Sequence, residues 1–129
     1  MKTLLTIFIV LLTNFFVEAQ TELPTSISNA LKNGNAVELT KSFNINVDLT
    51  ILDKQDIYSK TQAESLLKDF FTKNIPSNFT IIHRGGKEDA QYYVGKLTTS
   101  TGNYRISILI KGQAKTAFIH QFRIEKEND

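Results

Sequence analysis

Two histidines, His83 and His120, are the only imidazoles in a chain of 129 residues, and each lies in a run that alternates apolar and polar side chains. Phe79, Ile81 and His83 fall at spacing two, as do Phe118, His120 and Phe122. Residues at i and i+2 of a strand line one face, so both imidazoles are expected beside apolar neighbours, with Arg84 and Gln121 turned away. Two such rings facing one cavity would make an acid–base pair that works near neutral pH. Tyr104 is in phase with Ile106 and Ile108 and is expected inward as well. Of the adjacent Tyr92 and Tyr93 only one can face in, and Tyr93 is taken as the candidate. The candidate ligand-binding set is therefore His83, Tyr93, Tyr104 and His120. A packing reading competes with it: a histidine on an apolar face is commonly a hydrogen-bonded core residue, and a strand tyrosine commonly buries its ring while its hydroxyl reaches water.

The other reactive types do not converge. Proton abstraction inside an apolar cavity needs an inward carboxylate with donors aimed at the developing oxyanion. Asp48 falls on the polar face of its strand, Asp53 and Asp56 lie in a turn, Asp69 sits off the apolar stripe of its helix, and Glu88 and Asp89 occupy a charged turn. The chain has no cysteine, which removes thiol catalysis, thiolate metal sites and disulfides. Two histidines without a carboxylate at short spacing make no recognised metal site. Gly85-Gly86 follows a strand but opens no helix, so it is no phosphate loop. No residue is assigned as catalytic, and no metal or cofactor is implied.

The elements that must position these residues can be read from periodicity. Thr21 to Leu39 reads as helix, with Pro24 in the first turn, Thr25 or Ser26 near the cap, and a break at Asn33-Gly34-Asn35. Phe43, Ile45, Val47, Leu49 and Ile51 alternate with polar residues and predict a half-buried strand; after a turn at Asp53–Asp56, Ile57 to Ser59 returns as a short one. Lys60 to Asn74 is the clearest helix. Thr61 and Glu64 are placed for a capping box, and Ala63, Leu66, Leu67, Phe70 and Phe71 make its apolar stripe. Four strands follow, over Asn78–Arg84, Gln91–Thr99, Tyr104–Lys111 and Thr116–Glu125, joined by short turns and hence antiparallel neighbours. Leu66, Phe70, Ile108 and Phe122 are expected in one core. Arg84, Arg105 and Arg123 are expected on the outer sheet face, along with Leu109, Ala117 and Ile119.

The first residues carry a different message. Lys2 is followed by an apolar run from Leu4 to Leu12, broken only by Thr6, and Val17-Glu18-Ala19 places small residues at the −3 and −1 positions. This is the pattern of a secretory signal peptide cut after Ala19, too short and interrupted to span a bilayer. Residues 20–129 then form a single domain of ordinary size. The expected location is periplasmic or secreted, without a lipid anchor because no cysteine follows the cleavage point. The formal net charge of +2 is dispersed, which argues against nucleic-acid binding, and nothing after the leader suggests a stable membrane anchor. The sequon Asn78-Phe79-Thr80 sits at a strand start and means nothing in a bacterial periplasm.

Helix, helix, strand, strand, helix and four strands predict an α+β fold, a bent antiparallel meander sheet packed on two or three helices. This order over Thr21–Lys126, with the corner in Ala30-Leu31-Lys32-Asn33-Gly34-Asn35-Ala36, resembles the cone-shaped nuclear transport factor 2-like superfamily, a cystatin-like fold shared with ketosteroid isomerase and scytalone dehydratase. The chain also resembles small exported bacterial proteins assigned to a domain of unknown function. The resemblance implies a pocket between the concave sheet and the long helix, and in many members dimerisation through the sheet. Fold does not give function, so three readings stand open. One is a non-catalytic exported module holding a small apolar ligand. Another is a pocket enzyme using His83 and His120, and the third is a homodimeric interaction protein working through its outer sheet face.

Overall fold

The computed structural model describes residues 21–127, and the expected leader and its cleavage point lie outside them. Helix α1 (Thr25–Asn33) starts directly after Pro24, whose carbonyl accepts from the Ile27 and Ser28 amides; neither Thr25 nor Ser26 caps it. Gly34 ends it with φ at +65°, and the Gly34 and Asn35 amides donate to the Leu31 and Ala30 carbonyls. This left-handed corner favours glycine. Crowding adds to the demand, since a Cβ on Gly34 would lie 2.9 Å from Cδ of Pro76. The Asn35 side chain then caps α2 (Ala36–Thr40) by accepting from the Glu38 amide at 3.1 Å.

Strands β1 (Phe43–Ile51) and β2 (Lys54–Ser59) form a hairpin that leads straight into α3 (Lys60–Lys73). The helix begins two residues earlier than a Thr61 cap would allow. Ser59 is the cap, its hydroxyl accepting from the Gln62 amide at 3.2 Å while Oε1 of Gln62 accepts from the Ser59 amide at 3.1 Å. Strands β3 (Pro76–Lys87), β4 (Ala90–Thr99), β5 (Gly102–Lys111) and β6 (Phe118–Lys126) complete the chain. Gly85 and Gly86, expected in a turn, extend β3 and pair with Tyr92 and Gln91.

The six strands lie in the order β2-β1-β6-β5-β4-β3. All neighbours are antiparallel except β1 and β6, which run parallel because the chain crosses α3 and the meander before returning beside β1. The three helices cover one face. The core between them holds Ile27, Leu31 and Leu39 from α1 and α2, Leu67, Phe70 and Phe71 from α3, and Val47, Leu49, Leu97, Ile106, Ile108, Phe122 and Ile124 from the sheet, all buried. Phe70 stands edge-on to Tyr104 with ring centroids 5.2 Å apart, and Phe43 tilts against Phe122 at 5.6 Å.

Leu66 departs from expectation: it is 37% exposed, at the flank of the α3 stripe, while Phe70, Ile108 and Phe122 are buried as expected. Ile45 departs further, at 78% exposed. The β1–β6 register shifts between Phe43 and Asp48, so Phe43 and Val47 reach the core and the residue midway between them does not. Such bulges bend a sheet, and they change which side chains face in.

Candidate functional site

Two further bulges decide where the histidines go. In β3, Ile81 pairs with Gly95 but His83 pairs with Val94, leaving Ile82 as an extra residue. Directly opposed residues share a face. Phe79 opposes the core residue Leu97, and Arg84 opposes the core residue Tyr93. The bulge therefore moves Arg84 to the helix side and His83 to the outer side, exposed and opposite Val94. This reverses the expectation for both residues. In β6, Ile110 pairs with Ile119 but Leu109 pairs with Gln121, so His120 is the extra residue, half-buried at the kink. Ile119, expected on the outer face, is fully buried in the core. Counting by twos from Phe118 fails because the core positions are 119, 122 and 124. His83 and His120 thus do not form the facing pair that their spacing suggested.

The tyrosines behave as expected. Tyr93 is 1% exposed and Tyr104 is 8% exposed, both on the helix side, whereas Tyr92 is 38% exposed. The Tyr93 hydroxyl donates to the Thr21 carbonyl at 2.8 Å, tying the start of the described chain to the sheet. Burial pushes the Tyr93 phenol above its usual pKa, opposed in part by the Arg84 guanidinium. At the other end of the core, the Tyr104 hydroxyl and the Thr101 hydroxyl both donate to Oδ1 of Asn74. Asn74 closes α3, and its Nδ2 donates to the Phe70 carbonyl at 2.9 Å.

A cleft of about 220 Å³ opens beside that asparagine, between α3 and the β1–β2 hairpin. Leu49, Ile51 and Phe70 form its apolar floor, and Leu52 and Leu66 flank its mouth. Asp53, Lys54, Tyr58, Asp69, Lys73 and Asn74 supply polar groups around it. None of His83, Tyr93, Tyr104 or His120 borders the cleft. Tyr104 comes nearest, since it touches two lining residues, Phe70 and Asn74. An apolar floor with a few polar groups at the rim is the usual make-up of a small-molecule site. The space equals roughly seven waters at liquid density.

Asp69, expected off the apolar stripe, does lie off it: its side chain is 65% exposed and pairs with Lys73 at 3.0 Å. A solvated, ion-paired carboxylate differs from the desolvated one that proton abstraction in an apolar cavity uses. Among the described residues, Lys54 has no ion-pair partner, and Asn74 keeps one amide hydrogen uncommitted. No group of three or more metal-ligating side chains gathers among the described residues.

The hairpin turn that flanks the cleft is strained. Ile51 pairs with Lys54, so the loop is Leu52-Asp53, and Leu52 has φ at +59°. A left-handed backbone costs a residue with a Cβ about 1–2 kcal/mol. Periodicity carries no sign of this, because Leu52 reads as the end of an alternating strand. The two-residue spacing to Lys54 was the available signal, and only the pairing register makes it visible.

Comparisons with known proteins agree with this architecture. The model of a family described as Domain of unknown function (DUF4783) matches residues 24–125. A crystal structure of a DUF4783 family protein from Bacteroides ovatus is similar at 32% identity and a TM-score of 0.77, covering 84% of this chain and 98% of that one. A second, from Bacteroides uniformis, is similar at 30% identity and a TM-score of 0.76, covering 84% and 100%. A structure described as "Rd1NTF2_04 with long sheet" is similar at 16% identity and a TM-score of 0.64, covering 78% and 94%, which supports the fold alone. No curated protein matches the chain. The fold is α+β and nuclear transport factor 2-like.

Proposed function

Because this chain belongs to the DUF4783 family, a domain of unknown function, we propose its role from its own geometry: it is an exported, non-catalytic binding module that holds a small, largely apolar molecule in the cleft between α3 and the β1–β2 hairpin. The observation that carries this reading is the juxtaposition of the Leu49, Ile51 and Phe70 floor with the polar rim of Lys54, Tyr58 and Asn74. The apolar body of the ligand lies on the floor, and one polar end reaches the rim. Export rests on the leader-like residues 1–19, with residue 20 as the first of the secreted chain. The intact mass of the secreted protein checks it.

The test of binding is a titration of residues 20–129 with 1-hexanol, followed by backbone amide NMR. Saturable shifts confined to residues of the cleft are expected, with Ile51, Phe70 and Asn74 among them. Shifts scattered over the surface, or centred on His83 and His120, would contradict the reading. Hexanoate and hexylamine, run beside the alcohol, report whether Lys54 or Asp53 governs the polar end.

A second reading draws on the outer sheet face. Ile57, Asp48, Gln121, Leu109 and Tyr92 form one row across five strands, and Ile57 and Tyr92 are 60% and 38% exposed. Such a row suits contact with a second copy of the chain. Ile119 contributes nothing to it, being buried in the core. Solution mass decides: a monomer at high concentration sinks this reading and leaves the cleft reading intact.

A further inference from the structure

We infer that Leu52 is a ligand-contacting residue, held in a strained turn so that its side chain grips the occupant of the cleft. This rests on the binding reading above and goes beyond it by assigning a specificity-determining residue. Three observations meet at this position. The two-residue loop with a positive φ at its first residue alone follows the II′ pattern, in which that place belongs to glycine. Leucine stands there instead. Burial offsets the strain only in part, because the residue is 43% exposed. Nor can the backbone easily relax, since the Leu52 amide donates to the Ile124 carbonyl at 2.8 Å and fastens the turn to β6.

The exposed side chain borders the cleft. Leu66, another large apolar residue left partly exposed, borders it from the helix. One apolar residue from each wall is thus left partly uncovered at the mouth of the same small space. Strain kept at a site where burial offsets it only in part points to function. The occupant this arrangement fits is a small molecule with an aliphatic or aromatic body that touches both leucines, its polar end turned to the rim.

The test compares wild type with Leu52→Asn and Leu52→Gly. Asparagine and glycine both adopt the left-handed conformation readily, and both remove the apolar contact. Hexanol affinity should fall at least threefold in both variants, while the thermal midpoint of Leu52→Asn stays level with wild type or rises. An affinity change below threefold overturns the assignment of Leu52 even if the wild type binds well. A lowered midpoint in both variants marks Leu52 as a packing residue and also overturns it. Absence of hexanol binding by the wild type would instead remove the binding reading itself, and this inference with it.

Discussion

Tyr93 shows how one buried polar group links the sheet to the start of the domain. Its hydroxyl satisfies the Thr21 carbonyl, and its ring belongs to the core. The folded state holds the phenol neutral more firmly than the unfolded chain does, because burial raises its pKa more than Arg84 lowers it. The unfolded chain loses this proton first as pH rises, so unfolding is increasingly favoured above about pH 10, the ordinary tyrosine value. Stability from this group is fully present below that range and lost through the raised folded value. Tyr93→Phe should therefore cost about 1 kcal/mol near pH 8, the net worth of one hydrogen bond, and the gap to wild type should narrow once pH rises past about 10. Urea midpoints at the two pH values measure it, and a gap that widens at high pH would contradict this account of the phenol. The inward placement of Tyr104 was legible from alternation, since no bulge separates it from Ile108, whereas alternation said only that one of Tyr92 and Tyr93 faces in, and it is Tyr93. The placement of His83 was not. One extra residue, Ile82, reverses the face of everything after it, and nothing in the run Thr80-Ile81-Ile82-His83 marks which residue is the extra one.

The elements themselves were easier to read than their ends. Every helix and strand expected from periodicity is present, because the apolar stripes of α3, β1 and β5 are long enough to outweigh local exceptions. Caps are decided by single residues, and there the reading slipped. Thr61-Gln62-Ala63-Glu64 and Ser59-Lys60-Thr61-Gln62 both satisfy the capping-box pattern, and the chain uses the second because β2 runs directly into the helix. Ser59→Ala should thus destabilise the protein by about 1 kcal/mol, while Thr61→Ala should change little. Chemical denaturation of the two variants separates them, and the reverse order would mean that the helix starts where the sequence first suggested. The strained hairpin before α3 belongs to the same scale. It and the cap set the position of α3 relative to β1 and β2, and so the width of the cleft.

At the scale of the whole molecule, the bent sheet and the helices α1 to α3 bury their shared core and leave a small cleft where the hairpin and α3 diverge. The α+β order predicted this architecture, since short connections leave few ways to fold a meander onto two or three helices. The parallel β1–β6 contact and the site of the cleft depend on long-range packing, which no local pattern contains. That is why Asp53, Lys54, Tyr58 and Asn74 did not stand out in the sequence while the histidines did. The most direct test of the cleft as a binding site is a crystal of residues 20–129 soaked with 6-bromohexanol, read by the anomalous signal of bromine. A single bromine peak between Ile51 and Phe70, within reach of Leu52 and Leu66, is the predicted result. A peak on the outer sheet face or beside His83 or His120, with the cleft empty, would contradict the central claim.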